Sequence, residues 1–249
     1  MEEKLFYSAY ERFYAMARTS QAFGDYCHDA FGADFSQDGF SDVGQIARVL
    51  EHIRPRGDLR LLDVGCGNGK MLAWLQQRLG GAMHGFDYAE AAIRTARELH
   101  QGDFRVGVMG EIDYPENSFD LITAMDTLYF APDMSGFVAQ LKCWLKPGGV
   151  LFAGYQEGDV QPRTADAAST VLARALEEHG LVYQVEDITR ECYDLLRRKR
   201  ACAQRHRDAF LAEGNGEWYD MLIGQTEDAM VDYSVFRERM ARYIFVAKK

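Results

Sequence analysis

Between residues 60 and 154 the chain alternates between two hydrophobic rhythms. Short, nearly continuous apolar runs at 60–64, 82–86, 104–108, 121–125 and 150–154 read as buried strands. The stretches at 70–79, 89–100 and 137–145 repeat apolar residues at helical spacing. Turn formers punctuate the series: Gly80-Gly81, Gly102-Asp103, Pro115-Glu116-Asn117-Ser118 and Pro147-Gly148-Gly149. Strand–helix alternation with short connections predicts a parallel sheet covered by helices on both faces.

The flanks follow other patterns. Residues 1–19 form an amphipathic stripe, with Phe6, Tyr10, Phe13 and Tyr14 at helical spacings and Tyr7 beside them. Such a stripe packs on a domain or forms an aromatic lid, because a tyrosine buries its ring and still offers a hydroxyl. Residues 20–40, with Gly24, Gly32 and Gly39 among aromatics, predict loop and short helix. Ser41 or Asp42 then caps a helix whose apolar face is Val43, Ile46, Val49, Leu50 and Ile53, and Pro55-Arg56-Gly57 stops it. Beyond the alternating region, residues 160–180 predict a helix, 181–185 a sixth strand and 190–212 a long helix. Residues 242–246 predict a closing strand, antiparallel and at the sheet edge. The expected partition is a lid over 1–40, a core over 41–188, a helical cap over 189–235 and a closing strand over 236–249.

With 249 residues, 47% of them hydrophobic, the chain is long enough for one large domain or a core with a cap. Five scattered cysteines without C-x-x-C or zinc-type spacing point to reduced thiols and no metal. A net charge of −10 repels phosphate backbones and argues against nucleic acid. The basic run from Arg190 to Arg207 precedes an acidic stretch from Glu213 to Asp232, which predicts two helices whose opposite charges face each other. The acidic start Met1-Glu2-Glu3-Lys4 lacks a signal-peptide pattern, and no run is long enough to span a membrane. The expectation is a cytoplasmic protein, monomer or homodimer, with no membrane partner.

The chemistry concentrates in Leu61-Leu62-Asp63-Val64-Gly65-Cys66-Gly67-Asn68-Gly69-Lys70. A strand ends in a G-x-G-x-G loop and a helix follows at once. Glycines there let backbone amides approach a ligand closely. The spacing differs from the G-x-G-x-x-G of dinucleotide folds and from a phosphate-binding P-loop. Asp63 ahead of the glycines repels a pyrophosphate and suits an ammonium or hydroxyl. Asp87 ends the second strand, so topology brings it to the same rim.

These blocks, with Tyr114–Phe130 and Leu145–Gly154, resemble the class I S-adenosylmethionine (SAM)-dependent methyltransferase family, in its small-molecule branch. The resemblance covers about residues 58–155. It implies a Rossmann-like three-layer α/β/α sandwich, its seven-stranded sheet mostly parallel with an antiparallel last strand, plus a helical cap. It implies SAM as donor and S-adenosylhomocysteine (SAH) as product. By resemblance, Asp63 faces the donor's amino-acid end, Gly65 and Gly67 touch the donor through backbone, and Cys66 and Asn68 belong to the same donor-binding loop. Asp87 takes the ribose hydroxyls, Tyr88 covers the adenine, and Met125 lies near the reacting centre. Many relatives carry an acid after the third strand, where this chain has Val108 and Met109. Adenine recognition is then expected from backbone groups and Met109, or from Glu111.

The loop after the fourth strand faces the methyl group in relatives, which makes Asp126 and Tyr129 the candidate catalytic residues. For Asp126 an N-cap role stands beside this one. Tyr10, Tyr14 and Glu157 are the candidate acceptor-binding residues. Direct in-line transfer needs alignment above all, which supplies roughly 7–11 kcal/mol of a barrier. The expected acceptor is a small molecule bearing nitrogen or oxygen, and the acidic balance with the aromatic first helix suits an amine. The alternatives are a SAM-binding regulator without turnover, a methyltransferase of RNA or protein, and an NAD(P) oxidoreductase.

Overall fold

The computed structural model describes residues 7–249. Phe6 and the start of the predicted first helix lie outside the described residues. Seven strands form one sheet in the order β3-β2-β1-β4-β5-β7-β6. They are β1 (Arg60–Val64), β2 (Ala82–Asp87), β3 (Asp103–Val106), β4 (Phe119–Met125), β5 (Leu145–Glu157), β6 (Val182–Asp187) and β7 (Ala241–Lys248). The first five run parallel, and β7 is antiparallel to both β5 and β6. This is the Rossmann-like sandwich that the resemblance implied, with one correction. The last strand is not at the edge: β7 inserts between β5 and β6 and buries seven consecutive residues from Ala241 to Ala247. Its unbroken apolar run, Tyr243-Ile244-Phe245-Val246-Ala247, is that of an interior strand rather than an edge.

Helices α1 (Tyr7–Ala17), α2 (Gln21–Phe31) and α3 (Val43–Ala47) precede the sheet. The others are α4 (Lys70–Leu79), α5 (Glu90–Leu99), α6 (Met134–Trp144), α7 (Val171–Glu178), α8 (Thr189–Ala212), α9 (Gly216–Gly224) and α10 (Tyr233–Arg239). Alternation along the strands builds a core on each face of the sheet. Leu62, Ile122, Leu151 and Phe245 pack on one side with Trp144 of α6, while Leu61, Leu121, Phe152 and Ile244 pack on the other with Leu72 and Leu75 of α4.

Within residues 20–40, expected as loop and short helix, the helix runs a full eleven residues. Ser20 caps α2 by accepting from the Phe23 amide (3.0 Å), and Gly32 ends it with a left-handed φ of 84°. Its buried face, Ala22, Phe23, Tyr26, Cys27, Ala30 and Phe31, recurs at helical spacing and packs with Leu195, Cys202 and Phe210 of α8. Asp42, not Ser41, caps α3 (Oδ1 to Gln45 N, 3.0 Å). The basic side chains of α8 answer two sets of carboxylates. Arg200 meets Glu227 (2.8 Å), but Arg198 and Arg205 reach back to Asp42 (2.6 Å) and Asp29 (2.8 Å). The expected facing of two charged helices thus gives way to a helix braced on both sides.

Candidate functional site

A cavity of about 590 Å³ opens beyond the carboxyl ends of β1, β2 and β4. This is where open parallel sheets bind ligands. Its floor is the loop from Gly65 to Gly69, and Gly65 and Gly67 hold φ values of 69° and 53°. A Cβ on Gly65 would collide with Thr127 Cγ2, and one on Gly67 with the Tyr14 hydroxyl. Only glycine meets both the backbone angle and the space. Cys66 sits in the loop with its thiol buried and directed to the Gly67 carbonyl, and burial pushes that thiol's pKa up.

Two carboxylates flank the floor. Asp63 is 2% exposed and accepts one hydrogen bond from Thr123 Oγ1 (2.7 Å). Burial lifts its pKa to about 7, the Thr123 bond opposing and the Asp87 charge adding to the rise. Asp87 accepts from the amides of Gly67 (3.0 Å) and Ala89 (2.9 Å), and burial lifts its pKa to about 6 against those two bonds. Among the described residues neither carboxylate has an ion-pair partner. Two buried, uncompensated acids call for hydroxyl donors and a positive charge, and they reject a phosphate.

The roof comes from the N-terminal segment. Tyr10 and Tyr14 of α1 line the cavity, and Tyr10 meets Tyr88 edge-on with 5.9 Å between ring centres. Glu11 anchors this helix by accepting from the Ala91 amide in the first turn of α5 (3.2 Å), where a helix favours negative charge. Gln37, Asp38 and Gly39 complete the roof. Asn68 ties floor to roof: its Nδ2 donates to the carbonyls of Phe35 (3.2 Å) and Ser36 (3.3 Å), while its Oδ1 accepts from the Lys70 amide (3.0 Å). Lys70 Nζ adds bonds to Asp34 (2.6 Å) and Ser36 (2.7 Å).

Asp126 holds the other end of the roof. It lies just past β4 with φ 61°, a backbone conformation rare for a non-glycine residue. Its Oδ2 accepts from Ser41 Oγ (2.7 Å) and the Phe40 amide (2.9 Å), and its Oδ1 accepts from Arg242 Nη1. Arg242 is fully buried and also donates to Ser41 Oγ (2.7 Å) and Gln45 Oε1 (3.3 Å). Lys199 of α8 fastens the same strap from behind, donating to the Gly39 carbonyl (3.0 Å). Asp126 is therefore a cavity-wall residue with both oxygens engaged. The N-cap alternative does not apply, since Thr127 precedes the short 3-10 turn Leu128–Phe130 and no side chain caps it.

The structure brings Asp63, Gly65, Cys66, Gly67, Asn68, Asp87, Tyr88, Val108, Met109, Met125, Asp126, Tyr10 and Tyr14 to one cavity. Glu111 joins them beside Met109. It places two candidates elsewhere. Tyr129 turns into the core against Tyr155 and Phe130, and Phe130 takes the cavity wall instead. Glu157 lies at the end of β5 on the face shared with Ala153 and Tyr155, bonded to the amide (2.9 Å) and hydroxyl (2.8 Å) of Thr164. Strand alternation turns it away from the cavity. The cap residues 189–235 do not line the cavity; they brace α2 and the roof strap from behind. Asp38, Gly39 and Thr127 were missed in the sequence. Only the turn character of 36–39 marked that segment.

Residues 62–153 match the family described as the methyltransferase domain. The chain is 25% identical over 234 residues to phosphoethanolamine N-methyltransferase 3 of Arabidopsis thaliana, covering 85% of this chain and 47% of that protein. It is 36% identical over 121 residues to the ubiquinone biosynthesis O-methyltransferase of Paramagnetospirillum magneticum, 46% of this chain and 45% of that one. The chain thus spans about half the length of the curated relatives it matches. Among solved structures, Haemonchus contortus phosphoethanolamine N-methyltransferase 2, in complex with phosphomonomethylethanolamine and SAH, superposes with a TM-score of 0.76. The identity is 18%, covering 96% of this chain and 60% of that chain, which is a likeness of fold.

Proposed function

We propose, from a chain whose core is a methyltransferase domain of the class I SAM-dependent family, that it transfers a methyl group from SAM to a nitrogen or oxygen of a small molecule. The observation that carries this reading is the pair of buried carboxylates, Asp63 and Asp87, on either side of the glycine floor, with no cation paired to them among the described residues. SAM supplies what such a site lacks: a ribose diol, an ammonium and a sulfonium. Asp87 would hold the diol through charge-assisted hydrogen bonds, and Asp63 would face the amino-acid end. Gly65 and Gly67 admit the ligand to the backbone, while Val108, Met109 and Tyr88 offer apolar cover for an adenine with Glu111 beside them. When bound there, the donor supplies a methyl group already activated by positive charge on sulfur.

The chain's own part is alignment and exclusion of water. The roof of Tyr10, Tyr14 and residues 37–39 closes over the floor, and Phe130 and Met125 make the wall nearest the strand ends apolar. Asp126 positions the strap that carries this roof. Both of its oxygens are already engaged, so its role in this reading is to hold geometry rather than to take a proton. The curated relatives include both N- and O-methyltransferases, so the likeness leaves the accepting atom open.

Titration calorimetry tests the reading. Wild type should bind SAM and SAH, NADH should not compete, and SAH should form with some member of an acceptor panel. Asp87→Asn keeps one acceptor oxygen for the Gly67 and Ala89 amides and loses the charge, and should weaken SAM binding roughly tenfold or more with the fold retained. NADH binding in place of SAM, or an Asp87→Asn variant with undiminished affinity, refutes the assignment. SAM binding with no SAH from any acceptor would favour a regulator.

A further inference from the structure

We propose that the acceptor is a positively charged amine without a phosphate or other strong anion, and that Asp38 is the residue that selects it. This rests on the methyl-transfer reading above.

The cavity wall carries the argument. Its described lining residues include the carboxylates Asp38, Asp63, Asp87, Glu111 and Asp126, and no Lys, Arg or His. The cations closest to the wall are committed elsewhere. Arg242 is buried against Asp126, Lys199 is buried behind Gly39, and Lys70 faces Asp34. A phosphate entering this space would lose its hydration and meet only like charge. An ammonium would meet the opposite.

The carboxylates divide by place. Asp63 and Asp87 flank the donor floor. Asp126 is neutralised by Arg242. Glu111 sits beyond β3 with Val108 and Met109. Asp38 is left, in the roof, half-buried and accepting one hydrogen bond from Gln225 Nε2 (2.9 Å). Its charge is near enough to the Tyr10 hydroxyl to help burial push that pKa up. Asp159 and Asp228 add negative charge around it, and burial with the charges of Asp228 and Asp38 holds the Asp159 pKa above its ordinary value. Tyr10, Tyr88 and Phe130 set aromatic faces in the same space, which a cation favours over a neutral alcohol.

The chemistry agrees with the placement. The bound amine gives one proton to water, and its lone pair forms the N–C bond as the C–S bond breaks. The bond pair stays on sulfur, and the product leaves as a protonated methylamine. Positive charge thus moves from sulfur to nitrogen, and a carboxylate fixed near that nitrogen stabilises charge where it develops.

The test is calorimetry on the SAH-saturated chain near neutral pH, with a turnover assay beside it. The probes are ethanolamine, benzylamine and tyramine against phosphoethanolamine, benzyl alcohol and catechol. The expected result is binding and turnover of at least one amine over its anionic and neutral counterparts. Asp38→Asn should weaken that binding about tenfold or more while SAH affinity stays within about twofold, and Asp38→Glu should recover part of the loss. Preference for phosphoethanolamine or catechol overturns the proposal and leaves methyl transfer standing. So does amine binding that Asp38→Asn leaves unchanged, or no binding of any amine. Failure of wild type to bind SAH overturns both readings together.

Discussion

The same cavity holds two kinds of buried aspartate, and they do opposite work. On the floor, Asp63 and Asp87 have hydroxyl and amide donors but no cation among the described residues, and burial raises both pKa values. At the roof end, Asp126 is also buried but saturated, with Arg242, Ser41 and the Phe40 amide on its two oxygens. A carboxylate left incomplete by its own fold is completed by a ligand. A carboxylate completed by its fold spends its charge on architecture. Burial alone does not separate the two; the inventory of partners does.

The largest effect expected from this contrast is at the Asp126–Arg242 pair. Removing one member of a buried ion pair strands the other's charge and costs about 3–5 kcal/mol. Arg242→Met should therefore lower the melting temperature by roughly 6–20 °C for a chain of this size. The double variant Asp126→Asn with Arg242→Met should recover much of that loss, because no unpaired charge remains. If Arg242→Met melts within about 2 °C of wild type, the pair is not what holds the strap, and Asp126 returns as a candidate base.

A smaller effect separates the floor from the roof by pH. A carboxylate whose pKa is higher in the folded state than in the unfolded one stabilises the fold most when protonated. That contribution is full below about pH 4 and is lost as pH rises through about 6 and 7, the folded values of Asp87 and Asp63. The ligand-free chain should lose stability over this window, and Asp63→Asn should remove the part of that loss centred near pH 7. A ligand cation beside Asp63 favours its ionised form, so SAM binding at about pH 6.5 should release protons. Calorimetry in two buffers of different ionisation enthalpy reads that release directly. Proton uptake, or none, would mean that Asp63 does not face the donor's positive charge.

The two regions also differ in how far the sequence revealed them. The floor was legible because its parts are local: a strand, three glycines and a helix within ten residues, then an acid at the next strand end. The parallel order of the first five strands followed from the same short-range alternation. The roof was not legible. Arg242 and Asp126 are 116 residues apart and meet only through the pairing of β5 with β7. Nothing in the local pattern around Arg242 marks a buried guanidinium. Helix α2 was legible only as a short helix among loops, since Gly24 and Asp25 are poor helix formers set against a clear apolar period at 22, 23, 26, 27, 30 and 31. The position of β7 needed a tertiary fact that no single strand carries.

The smallest effect is expected at Glu157, and it sharpens the contrast from outside the cavity. Glu157 is as buried as the cavity aspartates, at 1% exposure, and like them it lies at the carboxyl end of a strand. Proximity to the carboxyl edge of the sheet thus predicts a role in the reaction for all four acids. Partners and strand phase predict otherwise. Its oxygens accept from the Thr164 amide and hydroxyl, Arg163 stands 3.7 Å away, and alternation along β5 points it to the face packed by α6 and α7. Glu157→Gln keeps an acceptor for Thr164 and weakens only the Arg163 contact. Turnover should stay within about twofold of wild type, with stability lowered by about 1 kcal/mol or less. The same exchange at Asp87 should cost roughly tenfold or more in SAM affinity. A loss of turnover at Glu157→Gln approaching that size, with the melting temperature retained, would mean that the sheet edge rather than the partner inventory decides which buried acids serve the reaction.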